Sequence, residues 1–325
     1  MVRTKVGLID LDGKLPNLAL CKIAAYHKAL GDTVALNDFK ADKLYCSIIF
    51  QKNRKQAEDM QRLYPHMVIG GTGWDLSVKL PPEIHSCRPD YSLYSRDFIH
   101  ERIKRGIGTK ANKLKKAQTI VNAGIGFTSR GCIRNCEFCV VPKAEGKFRQ
   151  ENEIVDLLNP KSNVLTLLDN NLTADPNVLD KLQEIKERNL IVDITQGIDV
   201  RLLTPEIAKA LSEVRHLRSI HYAWDLMPFE QPVLRGIDIL SKHIKPYKHL
   251  CYMLTSFNTS FEEDMYRFRR LLELKVNPYV MIYNGQGDER LHHFARWVNG
   301  RIHTVCEFRE YEPWAKARGQ AQLFT

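Results

Sequence analysis

Short apolar runs alternate with longer amphipathic stretches along most of this 325-residue chain, and that order leaves few folds open. Strands that follow one another with a helix between them pair in parallel, since a parallel neighbour is reached only by a crossover. Right-handed crossovers then lay the helices over the sheet faces. The length suffices for two cores.

The first hundred residues show the pattern cleanly. Lys5 to Asp10 (KVGLID) predicts a buried strand, Asn17 to Leu30 a helix ended by Gly31, and Thr33 to Leu36 a second strand. Leu44 to Phe50 predicts a third strand, Lys52 to Leu63 a helix, and Met67 to Ile69 a fourth strand entering Gly70-Gly71-Thr72-Gly73. Residues 1–95 are therefore expected to form a Rossmann-like, doubly wound α/β domain, with a glycine loop at the carboxyl end of a strand, where such sheets bind ligands. Trp74 and Pro81-Pro82 follow that loop instead of a helix, so it is not a dinucleotide fingerprint.

A basic connector is expected over 96–120, containing Gly106 and Gly108. From Arg96 to Lys116 eight basic residues stand against two acidic ones, +6 of the chain's net +10. Such a cluster either binds phosphate backbones through counterion release or is a solvated connector. A second alternation then begins, with strand-like runs at 124–129, 163–168, 190–195, 217–224, 249–256 and 277–283. Helix-like runs lie between them at about 151–158, 176–188, 204–214, 230–243 and 260–274. Six strands and five helices over 121–285 predict a partial (β/α)6 barrel, short of the eight repeats of a full one. Residues 286–325 are expected to form a short helical appendage.

No apolar run of about 18 residues could span a bilayer, so no membrane association is expected. Met1 to Gly13 lacks the charged, apolar and small-residue order of a secretion signal, and a cytoplasmic location is expected. In that compartment eight cysteines point to metal binding or core packing before disulfides. Cys21, Cys46, Cys87, Cys251 and Cys306 are scattered, whereas Cys132, Cys136 and Cys139 fall within eight residues as C-x3-C-x2-C, directly after the first strand of the second alternation. Three thiolates on one loop suit three irons of a cubane and leave the fourth iron open to a substrate or cofactor. The alternative, zinc, normally needs a fourth Cys or His, which the loop lacks.

This motif, the aromatic Phe138 before its last cysteine, and the six βα repeats resemble the radical S-adenosylmethionine (SAM) superfamily over about residues 120–285. The resemblance implies a [4Fe-4S] cluster on Cys132, Cys136 and Cys139, SAM chelated by the open iron, and reductive cleavage to methionine and a 5′-deoxyadenosyl radical that takes hydrogen from substrate. It also implies an external electron donor of the flavodoxin or ferredoxin type. By position, Asp169, Asn170 and Asn171 would hold the SAM amino group, the alternative being a capped strand-to-helix turn. Gln196, Asp199 and Arg201 would line the barrel mouth, with Arg201 toward the SAM carboxylate and Asp199 toward a hydroxyl, or else form an ordinary buried ion pair. Asp225 is similarly placed.

The N-terminal unit resembles the cobalamin-binding-like domain that precedes the barrel in one radical SAM branch, through its strand and helix order, the Gly70-Gly71 turn and the Pro-Pro-Glu-Ile stretch. The D-x-H-x-x-G motif is missing, since Asp10-Leu11-Asp12-Gly13-Lys14 holds no histidine; cobalamin stays open as a cofactor, and with it a cobalamin-dependent methyltransferase. A methylthiotransferase-like enzyme of tRNA would use three N-terminal cysteines for a second cluster, but Cys21 lies within the first helix. A non-catalytic electron-transfer protein would ordinarily show four protein ligands. Substrate is left between nucleic acid, suggested by residues 96–116 with Tyr91, Tyr94 and Phe98 as stacking rings, and a small metabolite or peptide.

Overall fold

A computed structural model describes residues 3–105 and 108–312; Gly106 of the connector and residues 313–325 of the appendage lie outside them. The fold is mixed α/β with parallel sheets. Among the described residues no helix is long and apolar enough to cross a membrane. Two compact units are formed, Met1–Gly131 with Val140–Leu168, and Cys132–Cys139 with Asp169–Thr325.

In the first unit, β1 (Lys5–Asp10), α1 (Leu18–Ala29), β2 (Thr33–Leu36), β3 (Lys43–Ser47), α2 (Arg54–Leu63) and β4 (Val68–Gly70) follow in order. The sheet is parallel with strand order β2-β1-β3-β4. Alternation along β1 serves both of its faces: Val6 and Leu8 pack with Leu20 and Ile23 of α1, while Ile9 packs with Cys46, Ile69 and Ala57 of α2. Each fully buried aliphatic side chain contributes about 1.5–3 kcal/mol, and truncating Leu8 to alanine would cost about 2–5 kcal/mol. Asn17 caps α1 by accepting from Leu20 N at 3.2 Å, and its Nδ2 donates to Ser47 Oγ at 2.8 Å, fixing the helix start to the end of β3. The strand expected to reach Phe50 stops at Ser47. Asp12 captures the amides of Ile49 and Phe50 at 2.7 and 3.0 Å and Asn53 Nδ2 at 2.7 Å, so the Asp12 carboxylate takes hydrogens a ladder would have used.

The same unit continues through α3 (Pro82–His85), α4 (Arg96–Ile103), α5 (Lys110–Asn122), β5 (Gly124–Gly126), β6 (Ser129–Arg130), α6 (Val141–Ala144), β7 (Arg149–Gln150), α7 (Ile154–Leu157) and β8 (Val164–Leu167). β5 pairs with β8 in parallel, and β6 with β7 antiparallel. The run expected to extend to Ser129 breaks after Gly126, because Asn152 Nδ2 takes Phe127 O at 2.8 Å and Glu151 N takes Thr128 O at 3.0 Å.

The described part of the connector forms α4 and α5, and several residues there and just before it face inward. Tyr94 is 4% exposed; its hydroxyl donates to Asp10 Oδ2 at 2.7 Å and accepts from Asn17 N at 3.1 Å. Arg102 donates to the Asp10 carbonyl and stacks on Phe98, its guanidinium carbon 4.9 Å from the ring centre. The Tyr91 hydroxyl donates to Leu157 O at 2.6 Å and accepts from Ile125 N at 3.1 Å. Of the three rings expected to stack bases, Tyr94 is buried and presents no face, Phe98 carries Arg102 on one face, and Tyr91 is half-buried with its hydroxyl held by backbone. Lys110 and Lys115 remain exposed.

The second unit holds α8 (Val178–Glu187), β9 (Ile191–Ile194), α9 (Pro205–Glu213), β10 (Arg215–His216), β11 (Ile220–Ala223), α10 (Glu230–Ser241), β12 (His249–Thr255), α11 (Phe261–Glu273), β13 (Asn277–Ile282) and α12 (Glu289–Asn299). Thr204 and Ser260 cap α9 and α11, the latter in a full capping box with Glu263. β9 pairs with β10, and β11, β12 and β13 form a parallel sheet in that order. The run expected as one strand over 217–224 is divided: Leu217 N bonds Val192 O at 2.8 Å beside β9, and pairing with β12 begins only at Ile220.

Candidate functional site

The loop from Cys132 to Cys139 is neither helix nor strand, so its shape depends on local hydrogen bonds. Arg134 N points at Cys132 Sγ, 3.3 Å away, and Cys139 N donates to Cys136 O at 3.0 Å, closing the second half. All three thiols are partly exposed. Burial pushes the Cys136 thiol up, the Arg201 charge pulls it down, and Cys139, Cys132 and Asp225 push it up again. The three sulfurs, Arg201 and Asp225 therefore sense one another's charge.

Asp199 anchors this group. Its carboxylate takes Arg201 Nε at 2.6 Å and Nη2 at 3.0 Å, a forked pair, and Arg134 Nε at 3.0 Å. Burial alone would raise the Asp199 carboxyl, but the bonds and charges of Arg201 and Arg134 outweigh it and hold it below the usual range. Such charge-assisted pairs are the strong ones. Arg134 lies inside the cysteine motif, so Asp199 grips the loop directly. Thr173 Oγ1 accepts from Asp199 N at 2.9 Å and lies 3.1 Å from Asn171 Oδ1, and Asn171 Nδ2 stands 3.5 Å from Cys132 Sγ. A hydrogen-bonded path thus runs from Asp199 to the first cysteine.

Asp225 follows β11, and burial pushes its carboxyl up to about 6, against the pull of Arg267, a Leu254 amide and Arg201. Arg267 on α11 is completely buried. It donates to the carbonyls of Trp224 and Asp225, both at 2.6 Å, to Leu254 O at 2.7 Å and to Asp264 Oδ1 at 2.5 Å. It ties the ends of two neighbouring strands together. Phe138 packs edge-on to Phe257 with centres 5.4 Å apart, and Phe257 on Tyr283 at 4.8 Å.

Cys132, Cys136, Asn171, Asp199, Arg201 and Asp225 are therefore gathered around one loop. Asp169 is fully buried, Asn170 is half-buried, and Gln196 is exposed on its turn. Arg201 is engaged by Asp199, the ion-pair alternative, and lies over Phe229 with its guanidinium carbon 4.8 Å from the ring centre. Sequence reasoning missed Arg134, Thr173, Arg267 and Phe257. Only Arg134 carried a local signal, a cation between two thiols.

The donor set fits an iron–sulfur cluster: three thiols on one loop, within electrostatic reach of each other and of a guanidinium that favours thiolates. Among the described residues no three His, Cys, Asp or Glu side chains close on a single metal ion; thiolates that each take a different iron stand further apart than ligands sharing one ion. A corrinoid does not fit the first unit. Asp12 is spent on the 49–53 turn. A Cβ at Gly71 would meet Ile48 O at 2.2 Å and one at Gly73 would meet Phe50 C at 2.7 Å, so these glycines admit the chain's own backbone and cradle nothing else. Nor do the N-terminal cysteines meet: Cys21 packs with Tyr94 and Ile99, Cys46 with Ile9 and Ile48, and Cys87 Sγ donates to Glu83 O at 3.2 Å. The three thiols thus sit in separate surroundings.

No family model matches the chain, and no curated protein does. Among solved structures, Streptococcus suis SuiB bound to the precursor peptide SuiA is similar at 13% identity and a TM-score of 0.41, over 78% of this chain and 60% of that one. SuiB bound to S-adenosylmethionine is similar at 13% identity and a TM-score of 0.39, over 77% and 60%. The chain spans about three fifths of the length of SuiB.

Proposed function

We propose that this chain is a radical SAM enzyme whose cluster is held by Cys132, Cys136 and Cys139. The observation that carries the reading is the grip on the three-cysteine loop: Arg134 reaches Asp199 at 3.0 Å and Asn171 reaches Cys132 at 3.5 Å, so the loop is shaped by polar residues at the positions the superfamily uses for SAM. When bound, the [4Fe-4S] cluster supplies an electron for reductive cleavage of SAM, which leads to hydrogen abstraction from a substrate.

The chain's own residues orient the reactants. Asn171, with Asp169 and Asn170 beside it in sequence, would hold the SAM amino group. Asp199 holds Arg201, whose guanidinium would meet the SAM carboxylate, and Gln196 would border the mouth. Asp225 presents a carboxyl that keeps or yields a proton near neutrality. The 1–95 unit, the 96–120 connector, the 121–285 partial barrel and the 286–325 appendage then serve one cytoplasmic enzyme, reduced by a flavodoxin or ferredoxin type donor. Nucleic acid is the favoured substrate class, supported by the exposed Lys110 and Lys115 of α5.

Anaerobic reconstitution with iron and sulfide tests the reading. The expected result is a cluster whose reduced form gives a paramagnetic resonance signal and converts SAM to 5′-deoxyadenosine, with both lost in Cys136→Ala. A loaded, reducible chain that forms no 5′-deoxyadenosine with dithionite or a flavodoxin would overturn it.

A further inference from the structure

One face of β12 and β13 packs against α11 and α12, and alternation sends every second side chain the other way. Tyr252 pairs in register with Tyr279, and Tyr222 with Cys251, which places His221 on the same outward side as Tyr252. The rings of His221 and Tyr252 are 5.6 Å apart, and those of Tyr252 and Tyr279 are 5.7 Å apart, edge to face. A row of three rings thus crosses three strands. Tyr279 is 41% exposed, and among the described residues the hydroxyls of Tyr252 and Tyr279 make no hydrogen bond.

His221 is nine-tenths buried, and among the described residues its Nδ1 has no partner, a cost that a native fold bears only where something else answers it. Burial lowers the imidazole's pKa, with Asp193 opposing and Arg218 assisting. Asp193 and Arg218 pair at 3.3 Å and also influence Tyr252, so one acid and one guanidinium border the row. Arg218 in turn opens on a cavity of about 580 Å³ at the amino ends of the strands, lined by His216, Ser219, His243, Lys245 and Lys248 and by no carboxylate.

We propose that this face binds a nucleotide, its base laid on the exposed ring of Tyr279 with Tyr252 standing at its edge, and read by His221 and the Asp193–Arg218 pair, its phosphate received by the cationic cavity. Aromatic faces accept any base at useful strength, a carboxylate and a guanidinium match the donors and acceptors of a base edge, and a carboxylate-free basic cavity suits phosphate and not the neutral flank of an aromatic peptide. The cavity lies at the amino ends of β11 and β12, whereas Asp199 and Asp225 follow the carboxyl ends of β9 and β11, so this is a binding site in its own right that requires neither cluster nor SAM.

Calorimetric titration of the full-length chain with the four 5′-mononucleotides, the matching nucleosides and a short single-stranded RNA tests it. Mononucleotides are expected to bind, and nucleosides to bind several-fold more weakly. Tyr279→Leu, at an exposed position, should weaken both about tenfold, and Lys245→Glu with Lys248→Glu should abolish only the advantage given by the phosphate. His221→Asn provides a second reading of the base contact. RNA binding tighter than any mononucleotide identifies a strand as the source of the base, and the reverse identifies the free nucleotide. No binding at millimolar nucleotide, an affinity unchanged by Tyr279→Leu, or preferential binding of a tyrosine- or tryptophan-containing peptide would overturn the proposal, while leaving SAM cleavage as a separate measurement.

Discussion

Arg134 Nε stands 3.0 Å from Asp199 Oδ2, across 65 residues of chain, and this pair joins the middle of the cysteine loop to the turn after β9. Arg134 is partly open to water while the carboxylate is almost wholly buried, so the carboxylate governs the arrangement. Asp199→Ala leaves Arg201 and Arg134 facing each other without their counter-charge. The expected loss is about 3 kcal/mol of stability, of the size seen when a buried pair loses one member, together with less than half of the normal iron content after reconstitution. Thermal unfolding and iron and sulfide analysis measure the two effects, and a fully loaded variant would deny Asp199 its part in shaping the loop.

Asp10 makes the stability of the chain depend on pH. Burial pushes its carboxyl up to about 6 from 3.8, despite help to the charged form from Tyr94 and Arg102. Between about pH 4 and 6 the unfolded chain has given up this proton while the folded chain keeps it, so the contribution falls as pH rises through that window and is level above it. Asp10→Asn should flatten this slope by an amount on the order of 2–3 kcal/mol. Denaturant titrations of both proteins at pH 4 and pH 7 give the comparison.

Tyr94→Phe removes the hydroxyl that serves both Asp10 and Asn17. A loss of about 1–3 kcal/mol is expected, because two buried groups are left unanswered. Iron content should be unaffected. A variant as stable as the parent would show that water replaces the hydroxyl.

Thiol labelling separates the cysteines. Cys21, Cys46 and Cys251 are buried, and burial pushes their thiols up, that of Cys46 to about 12. In the native, cluster-free chain alkylation should reach Cys132, Cys136 and Cys139 and spare these three until denaturant is added. Mass spectrometry of the labelled peptides reads the pattern, and loading with iron and sulfide should protect Cys132, Cys136 and Cys139 selectively.

Cobalamin offers a simple check of the first unit. Purification in the presence of hydroxocobalamin should yield a chain with no corrinoid absorbance, since backbone fills the space beside Gly71 and Gly73. Retained corrinoid at equal stoichiometry would contradict the packing there.

The sequence is readable where a structure depends on near neighbours. Lys5–Asp10 and Thr33–Leu36 appear as strands with the expected ends, because apolar runs bounded by polar residues set them locally. The spacing that sets Cys132, Cys136 and Cys139 on one loop is likewise local. Readings fail where a distant side chain intervenes. Ile49 and Phe50 look like strand, but Asp12 removes their amides from the ladder. Tyr94 sits in a polar stretch that reads as surface, yet its partner is an acid 84 residues away. Arg201 reads as a ligand for a carboxylate, and the carboxylate it meets first is the chain's own Asp199. No periodicity marks Arg267, whose role exists only once two strand ends lie beside one helix.

That last residue sets a rule for remodelling the molecule. Since a single guanidinium grips the carbonyls of Trp224, Asp225 and Leu254, the starts of two loops behave as one hinge-free bracket. Segments inserted beyond Asp225 or beyond Leu254 can change length and composition while the base of each loop stays aimed, whereas a substitution at Arg267, remote in sequence from both, would disturb the two together.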